Sequence, residues 1–120
     1  MSAFDYFKRL GYERWEFQRD ISNATVADTI TLRTPSSGKR VAVTNLVVAS
    51  PINGSIAFYF QGASQLQRKI LEVRGTSAST TIHPLIQSLE CTAVDIPLLV
   101  RVNVGMTDGW SVTGEGFDVD

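Results

Sequence analysis

The chain has 120 residues, a formal net charge of −1 and 43% apolar residues, which is the make-up of one domain able to bury a core without disulfides or metals. The near-neutral balance makes no case for nucleic acid as the main partner. The single cysteine, Cys91, excludes an intrachain disulfide, and no apolar run approaches the ~18 residues of a membrane span.

The opening, Met1-Ser2-Ala3-Phe4-Asp5-Tyr6, carries an acid and aromatics where a signal peptide would place a basic region and an apolar stretch. A reducing cytoplasm is the expected setting. In residues 3–11, Phe4, Phe7 and Leu10 recur every three positions, which predicts a short helix or turn with Gly11 as its stop. Residues 12–20 alternate Trp15 and Phe17 with Glu16 and Gln18, the period of a strand.

Residues 29–34 alternate and end at the turn cluster Pro35-Ser36-Ser37-Gly38. Residues 40–49, with Val41, Val43, Val47 and Val48, predict a strand. Pro51-Ile52-Asn53-Gly54 reads as a turn whose Asn-Gly pair signals a hairpin. In residues 55–61, Ile56, Phe58 and Phe60 face one way and Ala57 and Tyr59 the other. Gly62-Ala63-Ser64 breaks that strand. Residues 66–73 fit either period, because Leu66, Ile70 and Val73 also have helical spacing; the β neighbours favour a strand.

Residues 75–81 form a Ser/Thr loop, and residues 81–92 a strand whose Pro84 requires an edge or a bulge. Residues 96–104 alternate most cleanly, with Leu98, Val100, Val102 and Val104 opposite Leu99, Arg101 and Asn103. Asp108-Gly109 is a second hairpin signal. In the last strand, residues 110–119, Gly114 and Gly116 imply a close backbone approach or a bulge. The sum is an all-β chain: an antiparallel β-sandwich of about eight strands at 8–14-residue spacing, with a short N-terminal arm or helix. Residues 1–20 read as the arm and residues 21–120 as the sandwich.

Catalytic chemistry finds little purchase. His83 is the only histidine and precedes Pro84, and no Gly-x-Ser-x-Gly elbow is present. One His and one Cys cannot make a zinc site, so Cys91 reads as a small buried hydrophobe. Asp118 and Asp120 read as solvated charges, at most a weak site for a hard cation. No phosphate loop follows from the glycines between residues 105 and 116. No cofactor, no metal and no catalytic residue is expected.

Charge is polarised along the chain. Between residues 33 and 74, Arg33, Lys39, Arg40, Arg68, Lys69 and Arg74 are opposed only by Glu72. Between residues 90 and 120, six acids face Arg101 alone. These cations could form an interface with a neighbour's acidic region or with phosphates, or simply be dispersed over one surface. The aromatics are polarised too. Six of the eleven, Phe4, Tyr6, Phe7, Tyr12, Trp15 and Phe17, fall in the first seventeen positions. Exposed rings there would invite aggregation, so they must be covered: either they cap the chain's own core, or all six are partner-binding residues of the arm that dock on another subunit or a partner.

From Lys39 onward, about two thirds of the chain resembles small structural proteins of tailed-phage virions. The residues carrying the resemblance are the strand Lys39-Arg40-Val41-Ala42-Val43-Thr44-Asn45-Leu46-Val47-Val48, the passage through Asn53-Gly54 into Ile56 and Phe60, the strand Ile96-Pro97-Leu98-Leu99-Val100-Arg101-Val102, and the final strand from Trp110 to Val119. The ending Gly116-Phe117-Asp118-Val119-Asp120 departs from the Gly-Tyr type of many relatives, and the aromatic arm lies outside the resembling stretch. The resemblance implies a jelly-roll-like sandwich and a trimer that decorates or cements a capsid. It also implies assembly in a host cytoplasm and partnership with the major capsid protein or another virion protein. A connector or tail component is the nearest alternative. A carbohydrate-binding module using Tyr59 or Trp110 as a sugar platform is a further one, and an enzyme built on His83 comes last.

Overall fold

A computed structural model describes residues 2–21, 29–50, 54–62, 67–75, 79–104 and 110–120. Among these residues one helix, α1 (Ala3–Leu10), precedes eight strands: β1 (Glu13–Ile21), β2 (Thr29–Arg33), β3 (Arg40–Ser50), β4 (Gly54–Gln61), β5 (Gln67–Gly75), β6 (Ser79–Glu90), β7 (Leu98–Val104) and β8 (Trp110–Val119). They form two four-stranded sheets, of order β1-β8-β3-β6 and β2-β7-β4-β5. Every pairing is antiparallel. The all-β sandwich expected from the sequence is therefore the observed fold.

The topology is nested. Strand β1 pairs with β8, β2 with β7, β3 with β6 and β4 with β5, and the β3–β8 and β4–β7 pairings roll that ribbon into two layers. This is the jelly roll. It corrects both hairpin expectations. The strands flanking Asn53-Gly54 belong to opposite sheets, as do those flanking Asp108-Gly109. An Asn-Gly or Asp-Gly pair is a local signal, whereas the sheet a strand joins is decided by pairing with strands distant in the chain. Residues 51–53 and 105–109 themselves lie outside the described set. Only β4 and β5 are consecutive strands that are also neighbours.

The period-two readings of β4 and β7 hold where side chains are described. Ile56, Phe58, Phe60, Leu98 and Val100 are 0% exposed and meet Val41, Val43, Leu46 and Val48 of β3 between the sheets. The strand expected at 66–73 is β5. In β3 the alternation slips: the register shifts between Val43 and Asn45, so Leu46 and Val48 turn inward and Val47 does not. Pro84 meets both of its expectations, because β6 is an edge strand and its register against β3 breaks beside Pro84. Cys91 is a buried free thiol, as expected.

Two glycines of β8 make room for two rings of β1. Trp15 is registered with Gly116 and Phe17 with Gly114. A Cβ on Gly116 would lie 2.0 Å from the Ala42 carbonyl oxygen and 2.5 Å from Trp15 Cζ2, and one on Gly114 would lie 2.6 Å from Phe17 Cζ. The close approach expected of these glycines is thus aromatic packing across an edge pair, with the Trp15 and Phe17 rings stacked at 5.9 Å. Among the described residues no helix is long and apolar enough to cross a membrane.

Candidate functional site

Helix α1 forms because its ends are specified. The Ser2 hydroxyl accepts from the Asp5 amide at 3.1 Å, Asp5 sits in the first turn and Lys8 and Arg9 in the last, and each complements the helix dipole. Gly11 closes the helix in the left-handed region at φ 76°, a conformation that costs glycine nothing. The helix lies on the outer face of the first sheet. Ala3 and Phe7 pack there with Ala42, Phe117 and Val119, flanked by Phe4 and Tyr12. Phe117 takes the Phe4 ring at 5.4 Å and the Phe7 ring at 5.6 Å.

The six N-terminal rings consequently divide. Phe7 and Trp15 are each 5% exposed within the chain's own interior, Phe17 packs against the main core, and Phe4 and Tyr12 flank the helix cluster. Tyr6 alone is open, at 52%. The idea that all six fasten to a partner is corrected here: five of them have cover within the chain. The boundary drawn at residue 20 is likewise redrawn, since β1 is an edge strand of the sandwich and, of the described arm, residues 2–12 stand outside the sheets.

Leu10, which recurs in step with Phe4 and Phe7, is 50% exposed. It lies one turn beyond Tyr6, so the two project side by side from the helix surface. Val94, at 47%, is the third large apolar side chain exposed among the described residues. Tyr6 and Leu10 form a small apolar strip on a helix that Phe7 anchors.

Most of the charged candidates find partners within the chain. Arg33 donates to the buried Asp118 carboxylate from Nε at 3.3 Å and Nη2 at 2.5 Å and lies 3.8 Å from Glu13, while the Ser36 amide donates to the same Asp118. Asp118 was expected to be a solvated tail charge; its side chain is 0% exposed. Lys39 pairs with Asp120, and that hydrogen bond holds its ammonium above the usual lysine pKa. Arg40 reaches Glu90 at 3.6 Å and donates to the carbonyls of Cys91 and Asp120. Arg68 donates to the Glu90 carbonyl, and Lys69 pairs with Glu72 at 3.0 Å. Arg33, Lys39 and Arg40 of the basic segment thus meet Asp118, Asp120 and Glu90 of the acidic one; for Arg40 this follows from β3 lying between β6 and β8. The Arg74 side chain lies outside the described set.

The remaining candidates offer less. Tyr59 is on the outer face of the second sheet as expected, but the Arg101 guanidinium lies 4.7 Å over its ring and is held by Gln61 at 2.9 Å. One face of that ring is thus unavailable as a sugar platform. The side chains of His83 and Trp110 lie outside the described set. Asp118 and Asp120 are each engaged by a cationic side chain. No group of three or more potential metal ligands occurs among the described residues.

No family model matches the chain, and no curated protein matches it. Among solved structures, a chain of infectious bursal disease virus Gx strain is similar in fold, with a TM-score of 0.51 at 14% identity over 89% of this chain. This chain spans 32% of that chain's length, about a third. A carbohydrate-binding module from Cellvibrio mixtus lichenase 5A, in complex with cellotriose, aligns over 89% of this chain and 87% of its own at 15% identity and a TM-score of 0.44. The virus-like particle of the Macrobrachium rosenbergii extra small virus aligns over 92% of this chain and 80% of its own at 12% identity and 0.37.

Proposed function

We propose that the chain is a non-enzymatic virion structural protein, a capsid decoration protein that binds the shell as a symmetric homo-oligomer. The observation that supports this reading is the nested eight-stranded roll, an architecture that viral shells use repeatedly. The fold likeness to the bursal disease virus chain agrees with it, and the tailed-phage assignment rests on the resemblance from Lys39 onward. Since a fold alone does not name a function, the reading also needs a surface. Tyr6 and Leu10 supply one, presented on a helix that Ser2, Phe7 and Gly11 hold in place.

Mechanism follows from burial. Covering these two side chains against the major capsid protein or another virion protein removes apolar area from water. It also favours the assembled shell over free subunits by mass action. The test is mass spectrometry of purified particles produced by the genome that encodes this chain. The wild-type chain is expected in many copies, and a Tyr6→Ser/Leu10→Ser variant with unchanged melting is expected to be lost from particles. Absence of the wild-type chain, or full incorporation of the variant, overturns the proposal. Copy number in the same measurement separates a decoration protein from a connector or tail component. Point substitution is the right probe because deleting residues 2–17 would remove most of β1.

A further inference from the structure

Four strands lie at sheet edges: β1 and β6 in one sheet, β2 and β5 in the other. An edge strand presents an unpaired row of backbone donors and acceptors, a template for another chain unless it is blunted. Three of the four are blunted. The β2 register shifts between Thr31 and Arg33. The β5 register shifts where Ile70 is extra opposite Phe58 and Tyr59. The β6 strand carries Pro84 and a register break beside it. In each case the surplus residue is on the edge strand. The β1 strand differs, since its nine residues pair with β8 in unbroken register.

The side chains of β1 also complement themselves. Trp15 and Phe17 point inward, so the outward row is Arg14, Glu16, Gln18 and Asp20. An antiparallel copy related by a two-fold axis at Phe17 would set Arg14 opposite the second copy's Asp20, and Glu16 opposite its Gln18. Moving the axis one residue back sets Glu16 against Glu16; moving it one residue forward sets Glu16 against Asp20. Like charges directly opposite are destabilising and unlike charges favourable, so both neighbouring registers are disfavoured; an axis at Trp15 would also set Arg14 against Glu16, but it overlaps only residues 13–17 of each copy, whereas the axis at Phe17 overlaps the whole strand. Arg14 already contacts Glu115 at 2.8 Å and Glu16 at 3.1 Å, yet a guanidinium carries five donors and can accept a further carboxylate.

We infer that β1 is a homotypic docking edge, pairing antiparallel with β1 of a second copy about a two-fold axis at Phe17 to give one continuous eight-stranded sheet. Such a contact is isologous and closed, and it uses backbone hydrogen bonds for affinity and the outer side chains for register. It is independent of which larger structure the protein joins.

The test is the mass of the full-length chain in solution, together with crosslinking. A Glu16→Cys/Gln18→Cys variant is expected to form an interchain disulfide under mild oxidation, because each introduced thiol faces its counterpart across the axis, while the native Cys91 is 0% exposed and inert. Asp20→Lys is expected to weaken self-association by about ten-fold, since it sets two like-charge pairs across the interface, and Gln18→Lys to strengthen it. All these positions are exposed, so circular dichroism should show the wild-type fold, and melting at concentrations too low for association should match wild type. A strictly monomeric wild type, or an oligomer insensitive to Asp20 and Gln18 with no disulfide in the double variant, overturns the inference.

Discussion

On the outside of the first sheet, Ala42, Phe117 and Val119 are at most 1% exposed, covered by α1. On the outside of the second sheet, Tyr59, Gln61 and Arg101 remain partly in solvent, with Arg101 laid over Tyr59. Two halves of one roll thus solve the same problem differently. A sheet face can stay apolar where the chain supplies a lid, and must become amphipathic where long side chains do the covering. The contrast also locates the exposed strip: Tyr6 and Leu10 are on the lid, whose inner side is committed to the sheet.

That contrast can be tested by substitution, beginning with the largest expected effect. Phe117→Ala removes the ring on which Phe4 and Phe7 rest and should cost about 3–5 kcal/mol in urea unfolding; a loss within experimental error would mean that the lid is not part of the folded core. Gly116→Ala should come next, at about 3 kcal/mol, because the new methyl meets the Ala42 carbonyl, which cannot swing away. Its signature in thermal unfolding should accompany a change in Trp15 fluorescence.

Asp118→Asn removes the buried charge that pairs with Arg33 and replaces one of its two acceptor oxygens by an amide donor. Arg33 keeps 25% of its side chain in solvent, so a loss of about 2 kcal/mol is expected, less than for a fully buried pair. Ser2→Ala removes the helix cap and should cost about 1 kcal/mol, read as faster hydrogen exchange in α1 with the strands unaffected. Arg101→Ala, on the open face, should cost only about 0.5–1 kcal/mol. If it proved more damaging than Phe117→Ala, the two faces would have been ranked the wrong way round.

Much of the fold was legible because strand alternation is a local property. The inward triplet Ile56, Phe58 and Phe60, the stop at Gly11 and the edge or bulge at Pro84 each follow from one short stretch of sequence. Which strands would be neighbours was not legible. Asn53-Gly54 and Asp108-Gly109 look like hairpin turns, but a jelly roll sends the chain to the opposite sheet at both places. The charged residues failed for the same reason. Arg33 and Asp118 lie 85 positions apart, and no pattern within either segment signals that a buried pair will form between them.

What the sequence determined alone is the class of the protein: an all-β sandwich of about eight strands, a short N-terminal helix or turn that stops at Gly11, and a close approach or bulge at Gly114 and Gly116. Each of these depends on interactions within a few residues. The tertiary structure decided the nesting of the strands, the cover that five of the six N-terminal rings find within the chain, the pairing of Arg33, Lys39 and Arg40 with distant acids and the isolation of Tyr6 and Leu10 on the surface. These depend on contacts between residues distant in the chain, and a ring or a charge carries no mark of whether its partner will come from its own chain or from another.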